Sequence, residues 1–180
     1  MPSHVDGGLR NKRKMELEII KHSDISQEDL LRVIDIKNAA WPHPIESQLK
    51  WIANNQSSED LHVILKEGNE DLAYMDLCPV MAMVDGHCTP FVGVGNVCTK
   101  VKGKGHGGEL MKLVNKYIVD NNLRGMLFCM DRVVRFYANY SWKVIPSDSV
   151  IIEGEGHEGV YTMCFNTPSF CRMIYSDRLF

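Results

Sequence analysis

The stretch Lys100–Met111, KVKGKGHGGELM, sets four glycines and three lysines at the entrance of a segment with helical periodicity. An ordered glycine costs about 0.5–1 kcal/mol relative to alanine, so such a density calls for a reason. Backbone N–H groups at a helix start, flanked by Lys102 and Lys104, make a receptor for an anion such as a phosphate. The P-loop version of that chemistry needs Gly-Lys-Ser/Thr, and the tripeptide does not occur. The dinucleotide fingerprint G-x-G-x-x-G is met by Gly103, Gly105 and Gly108, with Asp131 after the next apolar run. It sits past the middle of the chain, with too few residues after it for the rest of that fold.

Other residues carry chemistry less distinctly. Tyr137, in RFYANYSW (135–142), offers a phenol beside Phe136 that can donate a proton or simply pack. Glu153, Glu155, His157 and Glu158 crowd into EGEGHEG, and Asp177 lies further on; such loop charges mostly solvate a surface. Cysteines stand at 78, 88, 98, 129, 164 and 171 without a Cys-x-x-Cys pair, which reads as reduced core thiols and not as metal ligands. His106, inside the glycine loop, reads as a packing or solvent-facing residue.

The elements that position these groups follow from periodicity. MELEIIK (15–21) alternates as a strand. The next helix carries Leu30, Leu31, Val33, Ile34 and Ile36, is capped by Asp24 or Ser26, and stops at Pro42. IESQLKWIANN is a second, short helix. LHVILKE and DLAYMDLCPVMAMV are strands joined at Gly68-Asn69, followed by a turn at 85–87. FVGVGNVCT is a strand whose Gly93 and Gly95 signal a bulge or a close backbone approach. After the glycine loop, Leu110, Leu113, Val114, Tyr117 and Ile118 share one helical face. GMLFCM is a strand, RVVRFYANY a short helix, and WKVIP and GVYTMCFN closing strands. The alternation gives an α/β domain with a mixed sheet.

The chain has 180 residues, 44% of them hydrophobic, which fits one domain over residues 15–180 behind a flexible tail at 1–14. A net charge of −3 speaks against nucleic acid as partner, and no apolar run is long enough for a membrane span. The amino terminus lacks the apolar stretch of a signal peptide, so a cytoplasmic protein is expected.

VCTKVKGKGHGGELM resembles motif A of the GCN5-related N-acetyltransferases, Arg/Gln-x-x-Gly-x-Gly/Ala, with lysine at the first position in Lys102–Gly107. RFYANYSW resembles the downstream family segment of a Phe-Tyr pair followed by a Gly-aromatic pair, with Ser141 in place of the glycine. The looser likeness runs from Met15 to Asn166, and the spacing is most similar to the aminoglycoside 2′-N-acetyltransferase branch.

The resemblance implies a mostly antiparallel α+β sheet with flanking helices and a splayed strand pair that admits acetyl-CoA. It implies donor contacts from Val97, Cys98, Thr99, Lys102, Gly103, Lys104, Gly105, His106, Gly107 and Gly108, and no metal. The Val97 N–H would hold the thioester oxygen as a tetrahedral intermediate forms, and Tyr137 would protonate the departing sulfur. Some relatives place a glutamate base where Gly93 stands, so the base is left unassigned. The implied reaction moves acetyl to a primary amine of a small cationic molecule, with the carboxylates at 153, 155, 158 and 177 near the acceptor; a homodimer is allowed. The alternatives are a coenzyme A-binding module without catalysis and a nicotinamide-dinucleotide enzyme.

Overall fold

The computed structural model describes residues 14–154 and 157–180; the expected tail, apart from Lys14, lies outside them. Among the described residues, nine strands and four α-helices follow one another in the order foreseen up to residue 144. The strands are β1 (Met15–Lys21), β2 (Leu61–Glu67), β3 (Glu70–Val84), β4 (His87–Thr99), β5 (Gly125–Met130), β6 (Lys143–Val144), β7 (Val150–Ile152), β8 (Val160–Phe165) and β9 (Met173–Tyr175). The helices are α1 (Gln27–Ala40), α2 (Ile45–Asn55), α3 (His106–Asp120) and α4 (Asp131–Ala138).

The sheet runs β1-β2-β3-β4-β5-β8-β6, with β9 joining β3 and β7 joining β9. Its pairs are antiparallel except β4–β5 and β7–β9. The β4–β5 step is parallel because α3 carries the chain back across the sheet, as a parallel crossover requires. One face packs on α3 through Leu110, Met111, Val114 and Ile118, and on α4 through Val133, Phe136 and Tyr137. The other face meets α1 through Val33 and Ile36 against Ile64, Tyr74 and Cys98. Farther along, Cys78, Val80 and Ala82 lie under Met173 and Tyr175 of β9.

The caps follow the sequence. Ser26 Oγ accepts the Asp29 N–H at 3.1 Å, which starts α1. Leu30 and Leu31 depart from the expected face: Leu31 is exposed, and the buried set is Val33, Ile34 and Ile36. All six cysteines are free, but Cys88 and Cys171 are exposed, so only four match the expected core role.

Candidate active site

The splayed strands decide where a ligand can enter. β4 and β5 are in register only at Val92–Gly125 and Gly93–Met126, and beyond that point they part. On its other edge β4 pairs Gly95 with Asp76 and Cys98 with Tyr74, so Asn96 and Val97 oppose a single residue of β3. This is a bulge, and Asn96 takes φ of 51° to make it. A bulge kinks its strand, which here turns β4 away from β5. Into the opening falls a cavity of about 370 Å³, with Gly95, Asn96 and Val97 on one side and Phe128, Cys129, Met130 and Tyr137 on the other. Trp41, Trp51 and Phe180 border the same space. Val97 and Tyr137, picked out from the sequence 40 positions apart, meet in one cleft.

The glycine loop leads from the end of β4 to α3. Gly103 and Gly105 take φ of 77° and 79°, values that L side chains rarely adopt. Left-handed backbone at alternate positions gathers N–H groups into a concavity that suits an anion. Gly105 is the N-cap of α3 and offers no side-chain cap, so the first-turn N–H groups face outward at the positive end of the helix dipole. Lys102 and Lys104 are exposed beside them. Gly108 is required for another reason: a Cβ there would overlap the Tyr140 hydroxyl. Cys98 is buried under α1 and is not exposed to the cleft, so of the expected contacts it offers only backbone. His106 is half-buried, and its Nδ1 has no partner among the described residues.

Tyr137 is held by aromatic packing, 5.1 Å between ring centroids with Phe136 and 6.5 Å with Trp142. Burial, with a smaller contribution from Cys129, pushes its phenol up to about 12. It therefore stays protonated at neutral pH, the state a proton donor needs. Trp142 is buried and fixed by its Nε1–H donating to Asn115 Oδ1 at 2.9 Å. Ser141, which stands where the motif it resembles has glycine, has φ of 67°, so the departure keeps the backbone a glycine would take.

Several groups at the cleft escaped the sequence reading. Asp76 of β3 is buried beside Gly95, and Asn96 Nδ2 and Gln56 Nε2 donate to its Oδ2 at 2.6 and 3.0 Å. Trp41 and Trp51 stand exposed at the mouth, and Lys37 Nζ lies 4.3 Å from the Trp51 ring centre. The signal for Asp76 was present, a lone charge inside the apolar run LAYMDLCPVMAMV. A carboxylate at Gly93 would have to displace the Phe180 ring, which packs where its Cβ would stand. The carboxylates expected around the acceptor are elsewhere. Asp177 accepts the Met81 N–H at 2.9 Å, Glu153 and Glu158 are exposed around β7, and none of the three borders the cleft. Glu155 lies outside the described residues.

No protein-family model matches the sequence, and no curated protein matches it either. Solved structures do match in shape. An acyl-CoA N-acyltransferase from Pseudomonas aeruginosa superposes with a TM-score of 0.58 at 14% identity, over 84% of this chain and 99% of its own. Escherichia coli ElaA gives 0.57 at 17% identity over 84% and 99%. The Bacillus subtilis N-acetyltransferase YlbP, solved in complex with coenzyme A, gives 0.56 at 13% identity over 88% and 100%. With a GCN5-related N-acetyltransferase from Kribbella flavida among the matches, the splayed sheet, the bulge and the glycine loop together place this chain in the fold of the GCN5-related N-acetyltransferases.

Proposed function

We propose that the protein transfers the acetyl group of acetyl-CoA to a primary amine carried by a small cationic molecule. One observation carries the reading: the bulge at Val97 and the phenol of Tyr137 line a single cleft between diverging strands of an acyltransferase fold. When bound, the donor supplies an activated thioester. Its pyrophosphate would rest on the N–H groups around Gly103–Gly108, with Lys102 and Lys104 beside it and Val97–Thr99 along the strand. The Val97 N–H would stabilise negative charge developing on the carbonyl oxygen, and Tyr137 would return a proton to sulfur.

The acceptor half supports a cation. Trp51 already takes the Lys37 ammonium on its ring face, so an indole of this mouth attracts positive charge. The net charge of −3 favours encounter with cations.

Thermal shift against acetyl-CoA, free CoA and NAD tests the donor, because a ligand at 100 times its Kd stabilises by about 2.7 kcal/mol. Thiol release over aminoglycosides, polyamines, arylalkylamines, amino acids and lysine peptides tests the acceptor. Cationic small amines should lead, with KM rising at higher ionic strength. Stabilisation by NAD alone would overturn the donor assignment. Stabilisation by acetyl-CoA with no thiol release on any amine would leave a binding module.

A further inference from the structure

We infer that Asp76 is the catalytic base on the acceptor side, whose free oxygen holds the incoming ammonium and takes the proton that must leave before nitrogen attacks. The inference rests on the acetyl-transfer reading above.

The contrast with Asp60 shows why. Both carboxylates are buried. Asp60 is saturated, accepting from the Ser57 N–H and hydroxyl and from both arms of Arg178. Among the described residues Asp76 has no ion pair and its Oδ1 has no hydrogen-bond donor. Leaving such an oxygen bare in a protein interior is unfavourable, so native structures rarely do it without a purpose. The oxygen lies 2.5 Å from where a Gly95 Cβ would stand, which points it at β4 one residue before the bulge. Asp76 lines a cavity of about 270 Å³ with Gln56, Trp51, Asn96 and Phe180, and the last three also border the cleft that holds Val97 and Tyr137. A substrate ammonium is a donor of the kind that Oδ1 lacks.

The groups around Asp76 act on it in both directions. Burial raises its pKa above the ordinary carboxylate value, while the Asn96 and Gln56 hydrogen bonds and Lys37 of α1 pull it back down. Asp60 pushes it up weakly from the turn before β2. Tyr74 and Cys78 on β3 and Cys98 on β4 are kept neutral by burial. The net effect is a carboxyl group more basic than an exposed one.

The nitrogen of R–NH3+ gives one proton to Oδ1 and attacks with the freed pair, forming the C–N bond to the thioester carbon. The C–S pair leaves on sulfur. A second proton from nitrogen balances the one that Tyr137 delivers to that sulfur, and the proton on Asp76 passes to solvent. Amide, thiol and one proton are the products. Leu179 and Phe180 close the cavity from outside and must give way for the amine.

Asp76→Asn keeps the shape and the Asn96 contact but removes the base. It is assayed with 2-phenylethylamine, charged at neutral pH, and with hydroxylamine, which is neutral there. We expect kcat/KM to fall about 10²–10⁴-fold for the charged amine, by less than about tenfold for hydroxylamine, and the acetyl-CoA thermal shift to persist. An equal fall for both nucleophiles would make Asp76 a structural residue, and unchanged rates would dismiss it. If the variant does not fold, Gln56→Met serves instead. Losing that donor raises the Asp76 pKa, so the acidic limb of kcat/KM must move to higher pH, and an unmoved limb overturns the assignment. Should acetyl-CoA fail to stabilise the wild type, or the wild type turn over neither amine, the parent reading falls and this one with it; wild-type turnover that survives in Asp76→Asn removes Asp76 alone.

Discussion

A phenol and a backbone amide are a small set of tools, and at the residue scale their worth depends on what surrounds them. Tyr137→Phe keeps the contacts with Phe136 and Trp142 and removes only the O–H. Turnover should fall about 10²–10⁴-fold with acetyl-CoA affinity unchanged, measured by steady-state kinetics and calorimetry. Because burial holds the phenol near 12, the proton is lost only as pH rises through that value. Rates in the wild type should therefore show no alkaline limb from this residue up to about pH 10, and a limb near pH 8 that vanishes in the phenylalanine variant would contradict the burial argument. Tyr137 was legible in the sequence because a contiguous motif carries it. Asp76 was not, because its meaning comes from Gly95 across the strand pair and from Gln56 at the end of α2. A lone charge in an apolar run announces that something must satisfy it, without saying what.

At the scale of elements, the start of α3 separates two uses of glycine. Gly105 has open space around a would-be Cβ but a left-handed backbone, so Gly105→Val strains the chain by about 1–2 kcal/mol and should abolish acetyl-CoA binding by calorimetry. Gly108 has ordinary backbone but no space, so Gly108→Ala should lower stability by about 1–3 kcal/mol. Adding Tyr140→Phe removes the clashing hydroxyl and should restore part of that loss in a double-mutant cycle; strict additivity would place the clash elsewhere. β2 holds a pH-sensitive joint of another kind. His62 is fully buried, with its ring nitrogens 2.8 Å from the Tyr74 hydroxyl and 2.9 Å from His22. Burial first, then His22 and Lys37, lower its pKa to about 4 from 6.5. The folded protein thus binds fewer protons than the unfolded chain between those values. The stability this contributes is complete above pH 6.5 and is lost as pH falls toward 4. The unfolding free energy from urea titrations should drop across that window by up to about 1.4 kcal/mol per pH unit, and His62→Gln should flatten the slope. Periodicity revealed the long elements here, since each face carries enough residues to show a pattern. β7 and β9 escaped it: three residues each hold no pattern, and they exist as strands through pairing with each other and with the end of β3.

Across the whole molecule, the sheet is a frame left incomplete in its middle. Beyond Gly93 and Met126, the inner edges of β4 and β5 face each other with no strand between them. Unpaired strand edges attract other strands, and β5 is the short apolar run GMLFCM without a proline or a charge. The opening between β4 and β5 is therefore also a colloidal weak point, guarded by any molecule seated there. Handling follows from this. Concentrated samples without coenzyme A should scatter light sooner and more strongly than samples saturated with it, at a temperature where both remain folded. A lysine on the cleft-facing edge of β5, at Met130→Lys, should close that gap between the two preparations, since Met130 is already exposed at the end of the strand. Shelf life would then report on ligand occupancy as directly as an activity assay does.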